Sequence, residues 1–233
     1  MARNRIAADR HPGSLKLYRI GALSVPLFLL TGIVLPMVTL NWLDYDAEMA
    51  GEPLIAFIGQ HRTWWFILQN LTMGSMVFLF PPLIALFPAL MHADRAWAAI
   101  GVTLALACQI LFMAYFPVVN GLGWLADRYV EAADPAYRAA LSGGAEALVA
   151  QNNAYGPSDT IFAVSVGLIA VAMWRGEFPA WVAIAGFATA LIGSGAAFFK
   201  PMIGIHYLWW WAALLVWLVG TGLTLWRLGS SRD

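Results

Sequence analysis

"AWVAIAGFATALIGSGAAFF", residues 180–199, contains no charged side chain and no proline. A helix of about 20 such residues crosses the hydrocarbon core of a bilayer. Its apolar residues form a continuous run without period-2 alternation, which favours a spanning helix over a strand of an outer-membrane barrel. The rest of the chain has the same character. Of its 233 residues 61% are hydrophobic and only 11% charged, against roughly 25% charged in a soluble domain. The expected fold class is therefore all-α: a polytopic membrane protein whose 233 residues form a single helical bundle.

Six spans are expected, over residues 18–42, 64–90, 97–125, 157–174, 180–199 and 205–226. The first apolar run lacks a small-x-small cleavage pattern and is too long for a signal peptide, so it is expected to remain as a span. Orientation follows from the basic residues. Arg3, Arg5, Arg10, Lys16, Arg19, Arg95, Arg175, Arg227 and Arg232 fall on one side, and Arg62, Arg128, Arg138 and Lys200 on the other. This nine-to-four split places both termini in the cytoplasm of a cell with an inner membrane. Nine of the thirteen acids lie on the outer side, which also carries the two long connections, 43–63 and 126–156.

Those connections have their own apolar patterns. Asp134 and Pro135 mark a helix start. Ala145, Leu148 and Val149 give a short amphipathic stripe after the Gly143-Gly144 pair, expected to lie in the interface plane as a lid. Residues 53–58 form a matching apolar patch. Within the spans, Pro26, Pro36, Pro81, Pro82, Pro88 and Pro117 are expected to kink their helices, span two being the least regular. In span five, Gly186, Ala190 and Ser194 recur every four positions and invite close helix contact.

A polar side chain at membrane depth is costly unless partnered, so its position carries information. These residues gather in the outer halves of the spans. Gln109, Met113, Phe116, Asn120, Trp124 and Asp127 share one helical stripe, and His61, Trp65, Gln69 and Thr72 another, with Asn70 beside them. Asn41 ends span one. Asp159 opens span four within "QNNAYGPSDTIF" (151–162), close to Asn153 and Tyr155, and His206 opens span six beside Trp210. The same residues have plainer readings. Gly156, Pro157 and Asp159 suit a helix cap, first position and first-turn acid, and tryptophans at span ends suit an interfacial belt.

If the stripes converge, they form an outward-facing pocket for a lipid-like or isoprenoid molecule. Asn41, Gln69, Asn70, Gln109, Asn120, Trp65, Trp124, Asn153, Tyr155 and Trp210 would bind it. Asp159, His61 and His206 would be the candidate acid–base groups of an isomerase or cyclase. The alternative is an accessory subunit of a larger respiratory or photosynthetic membrane complex, or a homo-oligomer, with pigment, quinone or haem contacts. "HRTWW" (61–65) and "HYLWW" (206–210) make His61 and His206 candidate axial haem ligands. They equally suit interfacial residues bonding lipid headgroups. Cys108 is the single cysteine, so neither an internal disulfide nor a thiolate metal site is expected. There is no nucleotide-binding or hydrolase motif and no basic patch for nucleic acid. A transporter is disfavoured, since no inverted repeat is evident.

The segments "AEALVAQNNAYG", "WRGEFPAW" and "VAIAGFATALIGSGA", together with span four and covering about residues 146–199, resemble a family of bacterial six-span inner-membrane proteins known as a domain of unknown function. The resemblance implies six helices with both termini inside. It brings no reaction with it.

Overall fold

The computed structural model describes residues 12–46, 49–115, 117–153, 156–203 and 209–230. Every regular element among them is helical. They are α1 (Pro12–Phe28), a π-helical segment (Leu29–Val34), α2 (Leu35–Trp42), α3 (Gly51–Gln60), α4 (Arg62–Ser75), a 3-10 turn (Met76–Leu79) and α5 (Phe80–Tyr115). After them come α6 (Pro117–Glu131), α7 (Pro135–Asn153), α8 (Gly156–Arg175), α9 (Ala180–Ile203) and α10 (Trp210–Ser230). Five stretches are long and apolar enough to cross a membrane: Gly13–Trp42, Arg62–Ala114, Ser158–Arg175, Ala180–Phe199 and Trp210–Ser230. The chain is a multi-pass helical membrane protein. Its bundle surface is correspondingly apolar, with Leu191 79% and Phe198 77% exposed.

The second stretch, 53 residues, would be about 80 Å long as one straight helix. It folds back instead. Asp94 is extended (φ −158°, ψ 96°), and its Oδ1 accepts a hydrogen bond from the Trp97 N–H at 3.2 Å, an N-cap for the returning half. The reversal is fixed by Gln109, whose Nε2 donates to Met76 Sδ at 3.1 Å. On a straight helix these residues would be about 50 Å apart. Arg175, at the end of α8, pairs with Asp94 and ties the reversal to the neighbouring helix.

The long helices close a ring around one buried cluster. α1 packs on the first half of α5, and α8 on the second half. α8 and α9 share the most extensive contact among the described elements, and α10 bridges α9 to α1. Small residues set these distances. A Cβ on Gly101 would lie 2.9 Å from the Ile169 backbone nitrogen, so α5 and α8 approach almost backbone to backbone.

Between α8, α9 and α10 the contacts repeat in layers. A Cβ on Gly186 would meet Ala170 at 2.7 Å and the Trp217 ring at 3.1 Å. One on Gly193 would meet Ala163 at 2.8 Å and the Trp210 ring at 3.1 Å. Gly167 faces Ala190 between the two layers. The close contact expected at Gly186 and Ala190 is present, but it continues through Gly193. The 3-4 alternation follows a helix face more closely than a strict four-residue step, so Ser194 stands beside the seam.

Two spans are irregular where prolines remove backbone donors. Pro36 cannot donate to the Gly32 carbonyl, and the chain widens into the π-helical segment before it. Hydroxyls bond carbonyls four residues back on either side of Pro26: Ser24 to Ile20 and Thr31 to Leu27, at 2.8 and 2.7 Å. Pro81 and Pro82 sit in the first turn of α5, directly after the 3-10 turn. The π-helical segment packs on the end of α4, just before the 3-10 turn: a Cβ on Gly32 would clash with Ser75 Oγ. Span one is therefore as irregular as span two.

Polar contacts mark one end of the bundle. Arg19 Nε donates to the Gly229 carbonyl at 2.9 Å, joining the early turns of α1 to the end of α10. Gly21, just inside that end, faces Pro82 and Ala85, which places the Asp94 reversal and Arg175 at the same end. A helical cap occupies the other.

Candidate functional site

The cap is built from α3, α6 and α7 around a second buried cluster that includes Ile55, Ile58, Leu122, Ala126, Leu141 and Ala145. The apolar patch at 53–58 is the core face of α3. Asp134 starts α7 as expected, its Oδ1 accepting from the Ala136 N–H at 3.0 Å. α7, however, runs unbroken through Gly143-Gly144 for 19 residues. Two interior glycines cost about 2 kcal/mol of helix propensity, and burial of Leu141 and Ala145 on either side outweighs that. The stripe Ala145, Leu148 and Val149 packs against α3 and α6 within the cap cluster.

Side-chain links hold the cap to the bundle and to itself. Arg62, at the first position of α4, makes a two-pronged pair with Asp127 of α6 (Nε to Oδ1 2.5 Å, Nη2 to Oδ2 3.0 Å). Tyr129 donates its hydroxyl to Glu52, and that bond to a carboxylate raises the Tyr129 pKa. The Tyr45 phenol is raised as well, by burial and then by the nearby Asp46 charge. Arg138 lies over the Tyr129 ring, and Arg128 over Trp124, at 5.4 and 4.8 Å.

Of the expected stripe on span three, Gln109 lies on α5, described to Tyr115, and Asn120, Trp124 and Asp127 lie on α6, described from Pro117. Leu122 and Ala126 of α6 pack into the cap cluster. Gln109 is 1% exposed in the bundle core. Asn120 and Trp124 are exposed on α6, and Asp127 is held by Arg62.

The span-two stripe is also distributed. Trp65 is buried in the cap cluster, its ring 6.1 Å from Tyr45. His61 sits at the α3–α4 junction with its ring 4.7 Å from Phe57. Gln69 is half-buried, as is Asn70, whose amide bonds the Phe66 carbonyl of its own helix at 2.8 Å. Asn41 is exposed at the end of α2. Asn153 is the last residue of α7, its side chain outside the described set; Tyr155 and His206 lie outside the described residues altogether.

What does come together is a layer at the capped end of the bundle. Phe112 of α5 meets Phe162 of α8, ring centroids 6.1 Å apart. Ala163 faces Gly193, and Gly193 seats Trp210, which is 1% exposed. Gln109 lies one turn from Phe112, and Asp159, half-buried, one turn from Ala163. Trp211 stacks at a tilt on Trp210, centroids 5.3 Å apart. The indole N–H groups of Trp210 and Trp211 are both buried and have no acceptor among the described residues, as is also true of the Trp65 and Trp217 indoles and the Thr221 hydroxyl elsewhere in the protein.

Of the expected site residues, Trp210 is in this layer, with Gln109 a turn below it on α5 and Asp159 a turn above it on α8. Trp211 joins them, signalled in the sequence only by its place in the tryptophan triplet. No cluster of metal-ligating side chains occurs among the described residues. No family model, curated protein or solved structure matches the chain.

Proposed function

We propose that this chain crosses a bacterial inner membrane six times, with cytoplasmic termini, and binds one lipid-class molecule in the outer half of its bundle. The Asp94 reversal supports the count, since it divides a 53-residue apolar stretch into two antiparallel helices. The nine-to-four split of basic residues supports the orientation. A cysteine at Ala50 should react with an impermeant thiol reagent on intact cells, and one at His92 should stay unlabelled until the membrane is opened. The reverse pattern refutes the orientation.

The observation that carries the binding reading is the pair of buried indole donors at Trp210 and Trp211. A buried N–H without an acceptor costs about 1–3 kcal/mol, and an acceptor on a bound molecule removes that cost. The surrounding wall of Phe112, Phe162, Ala163 and Gly193 suits an apolar body. Asp159, on the cap side of that wall, supplies a carboxyl for its polar end. A long apolar molecule with an oxygen-bearing headgroup, such as an isoprenoid alcohol or quinone, matches that composition.

Organic extraction and mass spectrometry of protein purified in mild detergent should show one retained species distinct from bulk phospholipid. Trp210→Phe keeps the ring and deletes the donor, so retention should fall by up to about tenfold while the thermal midpoint stays level or rises. Asp159→Asn should also reduce retention. Ser158→Ala alters the same helical turn and should leave it unchanged. A preparation carrying only bulk phospholipid refutes the binding reading.

A further inference from the structure

At the end of the bundle away from the cap, α1 and α10 leave an apolar groove of about 330 Å³ between them, walled in part by Leu23, Val25, Pro26, Gly222, Leu223 and Trp226. Gly222 forms part of the floor. A Cβ there would come within 3.3 Å of Val25, so the missing side chain lets α10 approach α1 closely beneath the groove. The groove covers residues 22–29, from the middle of α1 to the start of the π-helical segment, about 10 Å along the helix axis.

The stripes that line this groove continue into basic residues at its mouth. On α1, Lys16, Arg19, Leu23 and Pro26 are spaced i, i+3, i+7 and i+10 along one helical face. On α10, Arg227 follows Leu223 by four positions and Trp226 by one. Lys16 and Arg227 are exposed, and Arg19 bridges the two helices through the Gly229 carbonyl. Neither α1 nor α10 contains an acidic residue. Three cations at the end of an apolar channel, with a tryptophan at the same level, complement one phosphate group attached to a hydrocarbon chain.

We propose that the α1–α10 groove is a binding site for an anionic phospholipid of the cytoplasmic leaflet. One acyl chain would lie against Leu23, Pro26 and Leu223, and the phosphate between Lys16 and Arg227. The site is separate from the outer layer around Trp210 and stands whether or not that layer binds a ligand.

The test is native mass spectrometry of the full-length protein, delipidated in mild detergent and titrated with dioleoyl phosphatidylglycerol or dioleoyl phosphatidylcholine. The two lipids share acyl chains and differ in net charge. The wild type should retain phosphatidylglycerol about tenfold more tightly, the scale expected for two cations near an anionic headgroup. Lys16→Ala/Arg227→Ala should bring the two lipids level, and 0.5 M salt should erode the wild-type preference in the same direction. Leu23→Trp, which fills the channel, should weaken both lipids. Glycerol phosphate, which lacks the chains, should not compete. Both cations are at exposed positions, so the double variant should keep its helical circular dichroism; if it does not, the salt titration of the wild type decides. Equal retention of the two lipids by the wild type overturns the proposal, as does an undiminished preference in a folded double variant or effective competition by glycerol phosphate. Trp210→Phe should leave phosphatidylglycerol retention unchanged, which separates this site from the outer one.

Discussion

Gly186→Leu should lower the stability of the protein by about 3 kcal/mol or more, with Gly193→Leu close behind. Forcing even a methylene or two into a packed core costs about 1–3 kcal/mol. Here a bare Cβ already comes within 2.7 Å of Ala170 at one position and 2.8 Å of Ala163 at the other. Neither neighbour can swing aside, because an alanine has no side-chain torsion to change. The helices must separate, and with them the tryptophan seats on α10. Gly195→Ala is the matched control: the same helix, a Cβ that meets nothing within 4 Å, and an expected gain of about 0.5–1 kcal/mol from the lost backbone freedom of glycine. Thermal unfolding in detergent reads all three. Equal midpoints for Gly186→Leu and the wild type would mean that α8, α9 and α10 do not pack as described.

Trp217→Ala should cost a similar amount, about 3–5 kcal/mol, through the cavity it opens. Trp217 is fully buried in the bundle cluster and rests on Gly186. In a membrane the unfolded reference is itself apolar, so the transfer contribution shrinks. The lost packing contacts remain, which favours the lower part of that range. Trp217→Phe should cost far less, under about 1.5 kcal/mol, since the indole N–H it deletes has no acceptor among the described residues. The two sites should also couple. In Gly186→Leu/Trp217→Ala the leucine enters the space the indole leaves, so the double variant should lose less than the sum of the singles, by about 0.5–3 kcal/mol. Strict additivity would show that residues 186 and 217 are not in contact.

Both predictions rest on a feature only half visible in the chain. The run 180–199 shows by length and composition that it can cross a bilayer, and its small residues show that something packs closely against it. Which residue does so, and that the seam continues through Gly193 and not Ser194, depends on how α8 and α10 are rotated and how far each is shifted along α9. A helix's own periodicity contains neither quantity.

The same division holds elsewhere. The apolar spans, the Asp134 cap, the apolar face at 53–58 and the disturbances around Pro26, Pro36, Pro81 and Pro82 arise from interactions within a few residues, so they can be read from the sequence. The partners of the polar stripe from Gln109 to Asp127 could not be, because they come from the antiparallel stretch before the Asp94 reversal: Gln109 meets Met76 in the bundle and Asp127 meets Arg62 under the cap. Likewise Trp65 reads as part of a membrane pocket but is claimed by Tyr45 and the cap cluster. Local order along each helix followed from composition and spacing. Which polar groups face one another was decided by contacts between segments distant in the chain, where the rotation and register of each helix are set by packing against its neighbours.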